Sequence, residues 1–173
     1  MGKIMGCISL LIGVSGLLYQ WILQQKRRER RIDEILLFLQ RTISAMEGER
    51  VRIIDYLEQY NSREEVLKDT LLVIAYRLRQ NRYPDGIDVW ELTICEKQEE
   101  WDLDADSFEI VRGIGIGLFG RRRDENVRIL QRSQTRLEEN WSKMKEKSAR
   151  ERKLWVPVGM LGTVMLMIIL IMR

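Results

Sequence analysis

The sequence predicts an all-α protein, a membrane-anchored helical bundle with one transmembrane helix at each end. Three observations carry that expectation. Uncharged apolar runs of about twenty residues stand at both ends, each long enough to span a bilayer. The charged residues, 32% of the chain, are interleaved with Leu, Ile and Val and form no long blocks. Only two prolines, Pro84 and Pro157, occur in 173 residues. The expected organisation is a transmembrane helix over 4–23, a cytoplasmic α-helical domain over 24–153 and a second transmembrane helix over 154–172.

The first span, Ile4 to Leu23, carries its amphipathic aromatics Tyr19 and Trp21 at its far end, where an interfacial belt belongs. A cleaved signal peptide is the competing reading. The apolar run, however, passes directly into Trp21 and the cluster Lys26, Arg27, Arg28, Arg30 and Arg31, with no small-x-small cleavage site between, which favours a retained anchor. The second span, Leu154 to Met172, has Trp155 at its entry and Pro157 in its first turn, where a missing N–H costs little. Gly159 and Gly162 give it a small-residue face.

Orientation follows from the positive charge. Lys26 to Arg31 flank the first span and Lys143, Lys145, Lys147, Arg150, Arg152 and Lys153 flank the second, whereas only Lys3, the amino terminus and Arg173 lie beyond the spans. The centre is therefore expected in the cytoplasm with both termini across the membrane. The Lys26, Arg27, Arg28, Arg30, Arg31 flank is read as this topology signal and a lipid-headgroup contact, ahead of a protein site.

Several function classes are excluded by composition. With no histidine, the commonest general base, the commonest metal ligand and every Ser-His or Cys-His pair are missing. Cys7 and Cys95 stand in no metal-ligand spacing and read as reduced residues. The centre is nearly neutral although about 40% charged, which argues against a nucleic-acid partner. No catalytic residue, metal, cofactor or small-molecule substrate is expected.

Within the centre, Ile32, Ile35, Leu36, Leu39, Ile43 and Met46 recur at spacings of three and four, predicting one apolar stripe on a helix ending near Gly48. Ile53, Ile54 and Leu57 mark a short amphipathic piece. Ser62 to Glu65 has the capping-box form and should open a helix bearing Val66, Leu67, Leu71, Ile74, Ala75 and Leu78. Asn81 to Gly86 reads as a turn, after which Asp88 with Glu91 is expected to cap a helix bearing Val89, Leu92 and Ile94. Asp102, Asp104 and Asp106 supply the acidic start of a helix over Ser107 to Phe119. From about Arg123, Val127, Leu130, Gln134, Leu137, Trp141 and Met144 form a heptad seam, polar only at Gln134.

Gly115 to Gly120 match the GxGxxG pattern, but no strand-like run after Arg121 supplies the second strand of a dinucleotide-binding unit. Gly113, Gly115, Gly117 and Gly120 are instead read, with Trp90, as candidate helix-packing positions. Three of these glycines within five residues weaken a helix by roughly 2 to 3 kcal/mol relative to Ala, a cost that a close helix crossing or a helix end near Gly120 would offset. Arg121, Arg122, Arg123 and the adjoining Asp124 are candidates for contact with a partner or a lipid headgroup, with a solvated turn as the plainer reading. Trp90 and Trp101 read as core or interface-rim residues.

The order of these features resembles the stage III sporulation protein AB family of endospore-forming bacteria, over nearly the whole chain. Gly86-Ile-Asp-Val-Trp90-Glu-Leu is similar to that family's Gly-led segment with an Ala-Trp pair. Gly113 to Val127 stands where the family has LG-x-x-LG-x-x-D-x-x-x-Q, with Arg123 and Val127 at the Asp and Gln positions, and Arg128 to Met172 matches the long charged helix and LG-containing span. The resemblance implies a non-enzymatic platform or scaffold in the secretion-like channel complex between mother cell and forespore, in the mother-cell membrane facing the forespore. By likeness to type II secretion platform domains, it implies partnership with a cytoplasmic ATPase (stage III sporulation protein AA-like) and with other membrane subunits, as well as the bilayer. The rival from another class is a membrane-bound helical signalling relay, disfavoured because the segments outside the spans are only a few residues long.

Overall fold

Among the described residues, the computed structural model holds helices and no strand. It describes the backbone of residues 2–48, 52–80 and 85–172, and within these the side chains of 23–48, 52–80 and 85–150 with Gly16 and Gln20. The helices are α1 (Gly2–Gly48), α2 (Ile53–Gln59), α3 (Glu65–Arg79), α4 (Gly86–Glu96), α5 (Gln98–Trp101), α6 (Ala105–Phe119) and α7 (Arg123–Met172). The all-α expectation holds.

The chain divides into two units, Met1–Arg27 with Ser142–Arg173, and Arg28–Trp141. Within the first, Gln25 Nε2 donates to Ser148 Oγ and Arg150 pairs with Glu146 one turn earlier. The expected spans at 4–23 and 154–172 lie, apart from Gly16, Gln20 and Leu23, outside the residues whose side chains are described. Among the described residues, no helix is long and apolar enough to cross a membrane.

The second unit is built on the predicted stripes. On α1 the stripe buries Ile32, Ile35, Phe38, Leu39, Ile43 and Met46, with Leu36 only half-buried and Phe38 added. The core also takes Leu57 of α2, Leu67, Leu71, Ile74 and Ala75 of α3, Val89, Trp90 and Ile94 of α4, and Phe108, Val111, Ile114 and Leu118 of α6. On α7 the seam buries Leu130, Leu137 and Trp141, while Val127, Gln134 and Met144 remain half-buried. Each fully buried Leu, Ile or Phe contributes roughly 1.5 to 3 kcal/mol, whereas an exposed ion pair such as Arg79 with Asp55 is screened by solvent and contributes little. The apolar stripes therefore hold the unit together.

Buried hydroxyls are satisfied locally. Thr42, Thr70 and Thr93 are all fully buried, and each donates to the carbonyl one turn earlier, on Phe38, Val66 and Val89, at 2.7, 2.6 and 2.7 Å. This arrangement lets a helix face close with no orphaned polar atom at these positions. Phe38 centres an aromatic cluster, edge-on to Tyr60 at 5.0 Å and stacked on Trp90 at 6.5 Å, and burial raises the Tyr60 phenol to about 12.

Helix starts depart from the expected caps. Ser62 does not cap α3: its hydroxyl donates to Glu34 at 3.2 Å and accepts from the Glu64 N–H at 3.1 Å, bridging to α1, and Glu64 is the residue at the cap position. The cap of α4 is Asp85, which accepts from the Ile87 N–H at 3.1 Å, leaving Asp88 inside the first turn. Residues 81–84 of the expected turn lie outside the described residues. Asp104 caps α6, accepting from the Ser107 N–H at 3.1 Å. Nothing in the periodicity predicts α5, a single turn too short to show a repeat.

Candidate interaction surface

The α6–α7 corner is built from close contacts that only glycine permits. A Cβ at Gly115 would fall 2.7 Å from Trp90 Cδ1, and Trp90 Nε1 donates to Val111 O at 3.0 Å, so the indole of α4 lies flat across the α6 backbone. Gly117 faces α7, where a Cβ would meet Leu130 at 2.7 Å. Gly86 stands in the same relation to Phe119, at 2.6 Å. Gly113 is different, since a Cβ there meets nothing within 4 Å. The helix-weakening cost of glycine in α6 is thus offset at Gly115 and Gly117 by packing, and at Gly113 no contact accounts for it.

Gly120 ends α6 with φ −62° and ψ 159°, a conformation open to any residue, so sterics and not backbone freedom explain it. A Cβ there would run into Asn126 Oδ1 and lie 2.8 Å from Ile116 O. Asn126, 5% exposed, donates through Nδ2 to Gly120 O at 2.8 Å, while the Gly120 N–H donates to Ile116 O at 3.1 Å. At the far end of the same antiparallel helix pair, Asn140 Nδ2 donates to Asp104 Oδ2 at 3.0 Å and to Ser107 Oγ at 2.9 Å. One asparagine thus closes each end of the α6–α7 hairpin. Burial pushes the Asp104 carboxyl up, but bonds from the Ser107 hydroxyl and N–H and from Asn140 outweigh it and leave the carboxyl below its ordinary range.

This corner presents the candidate basic residues. Arg123 Nε donates to Met46 O, tying the start of α7 to the end of α1, and Gln131 Nε2 donates to Glu47 at 3.3 Å. Arg121 and Arg122 are exposed at the corner, with Asp124 beside them. Arg122, Arg123, Asp124, Glu125, Arg128, Ile129 and Arg132 line an open depression at the start of α7, with four arginines against two carboxylates. The expected trio is therefore divided: one arginine is bound into the fold and two face outward.

The basic flank after the first span is divided as well. Lys26, Arg27 and Arg30 are exposed. Arg28 bridges to Asp102 at 2.5 Å, and that bond raises its guanidinium above the ordinary value despite partial burial. Arg31 donates to Trp101 O at 2.7 Å and lies 3.7 Å from Glu64. Asp102 takes a left-handed conformation, φ 43°, as the α5 chain ends, and these two arginines of α1 hold that bend from outside. Trp90 and Trp101 are core residues, 2% and 1% exposed.

Sequence reasoning did not find Asn126, Asn140, Arg28 or Arg31 as structural ties, because their partners follow from tertiary packing. The available signal was Asn126 and Asn140, two heptads apart on the seam side of one helix. Among the described residues, no group of acidic or sulfur ligands is arranged to hold a metal ion.

A family model described as stage III sporulation protein AB matches residues 3–171. The chain belongs to the stage III sporulation protein AB family. A solved structure of a stage III sporulation protein AB (SpoIIIAB) is similar at a TM-score of 0.60 and 15% identity, covering 69% of this chain and 94% of that one. At that identity the likeness speaks to the fold, which the family shares with this helical body. No curated protein matches.

Proposed function

We propose that the chain is a non-enzymatic platform subunit of the sporulation channel complex between mother cell and forespore, coupling a cytoplasmic ATPase to membrane components. The observation that carries this reading is family membership across residues 3–171. Support comes from the helical body: its apolar stripes are largely used in the core, and its helix corner offers arginines outward. A rigid body of this kind suits docking, in which binding energy is not spent on ordering loops.

The uncharged runs at 4–23 and 154–172, each bordered by basic residues on the side of the central segment, support a two-pass protein of the mother-cell membrane with the centre cytoplasmic. Two anchors on one small body would hold it at a fixed height and raise its effective concentration for other membrane subunits without any new contact.

The test is co-purification of the full chain, solubilised in detergent, with the AA-like ATPase of the same organism, with and without MgATP. Retention of the ATPase is the expected result. Failure in both nucleotide states removes the ATPase coupling from the reading.

A further inference from the structure

Some arginines of this body are held by its own carboxylates and others are not. Arg28, Arg77, Arg79 and Arg112 each pair with a carboxylate of the same unit. Like Arg30, Arg41, Arg52 and Arg63, the residues Arg121, Arg122, Arg128, Arg132 and Arg136 are exposed and, among the described residues, make no ion pair. The last three are spaced four apart on α7 and so stand one above the next along one helix face. Like charges at that spacing repel by a few tenths of a kcal/mol per pair, a cost that Asp124 and Glu125, one turn before Arg128, and Glu139, one turn after Arg136, offset in part.

We propose that this arginine ridge is the docking surface for an acidic helix of a partner protein, one carrying carboxylates one turn apart. The repeat of the ridge is about 6 Å, the rise of four helical residues, and a partner helix with Glu at four-residue intervals has the same repeat. The depression at the upper end of the ridge is lined by Ile129 and by four arginines against Asp124 and Glu125, so an incoming acidic helix meets net positive charge beside an apolar side chain. The ridge is held in advance of binding, because Arg123 on Met46 O and Asn126 on Gly120 O fix the start of α7.

A membrane surface fits the same charge less well. From 121 to 136 every basic residue is Arg, whereas Lys143, Lys145, Lys147 and Lys153 dominate the stretch nearer the second apolar run. A guanidinium fork matches a carboxylate geometrically, while attraction to anionic headgroups needs only positive charge. Glu125 and Glu139 also share the ridge face by helical spacing, which weakens it toward a uniformly negative sheet but leaves gaps that a discrete acidic helix can match.

The inference deepens the platform reading, with the cytoplasmic ATPase as the partner that reading supplies. The full chain in neutral-lipid nanodiscs is compared with R128E/R132E/R136E and with K143E/K145E/K147E, after circular dichroism has shown equal helicity. The first probe is a fluorescein-labelled helical peptide with Glu at three successive four-residue intervals, followed by anisotropy at low and high salt. The wild type and the lysine variant should bind alike, the ridge variant about tenfold or more weaker, and salt should reduce binding. No binding by the wild type, or equal binding by the ridge variant, overturns the proposal. So does ridge-dependent flotation with phosphatidylglycerol vesicles in place of peptide binding. With the ATPase as second probe, loss of binding in the ridge variant supports the assignment and undiminished binding overturns it. Peptide binding without any wild-type binding to the ATPase would leave the ridge standing and remove the ATPase coupling.

Discussion

Trp90 lies across Gly115, with its Nε1 bonded to Val111 O at 3.0 Å and its Cδ1 2.7 Å from where a Cβ on the glycine would sit. The indole is 2% exposed and has no room to retreat. Gly115→Ala should therefore destabilise the protein by about 1 to 3 kcal/mol through overpacking. Gly113→Ala, in the same helix and with nothing within 4 Å, should stabilise it by about 0.4 to 1 kcal/mol through helix propensity and unfolded-state entropy. Thermal melts of the full chain in detergent, followed by circular dichroism, should show shifts of opposite sign.

Asp104 links folding to pH. Its carboxyl is depressed in the folded state, so the stability it contributes is present above the ordinary carboxylate value of about 3.9 and is lost as pH falls from there through the folded value. Asp104→Asn keeps a capping oxygen but loses the titration. Wild type and variant should differ at neutral pH by up to about 1 kcal/mol and converge in acid. Urea titrations at a series of pH values check this, and parallel profiles would exclude the linkage.

The apolar stripes on α1, α3 and α7 were legible because their period of three to four residues is written locally, and so was the end of α1 at Gly48. Caps were less legible. Ser62 meets the capping pattern, yet Glu34 lies 28 residues away in sequence and draws its hydroxyl into a bridge. Glycine spacing in α6 showed that something packs closely, but only the fold distinguishes Gly115 under Trp90 from the uncontacted Gly113. The basic clusters were visible as charge, while the division between Arg123 or Arg28, bound to the fold, and Arg121 or Arg30, facing outward, depends on partners more than 70 residues distant.

Cys95 is exposed on α4 and provides a native label for topology. In a Cys7→Ser chain carried in the plasma membrane of non-sporulating cells, a membrane-impermeant maleimide should leave Cys95 unmodified in intact cells and modify it after permeabilisation. Labelling in intact cells would reverse the proposed orientation, because Cys95 belongs to the same unit as the rest of the helical body.

Asp102 combines a left-handed backbone with a bridge to Arg28, and substitution can separate the two roles. At φ 43° a residue with a Cβ and no local hydrogen-bonding group is strained by about 1 to 2 kcal/mol, whereas glycine is not. Loss of the bridge alone should cost little, roughly 0.2 to 1 kcal/mol, since both side chains are about 40% exposed. Asp102→Gly should therefore be destabilising by no more than the bridge, with Asp102→Ala worse by about 1 kcal/mol or more. In a double-mutant cycle with Arg28→Ala, the coupling energy should be the same for either replacement. Equal stability of the Gly and Ala variants in denaturant titrations would show that the bend is not under backbone strain and that Arg28 alone sets the requirement for Asp.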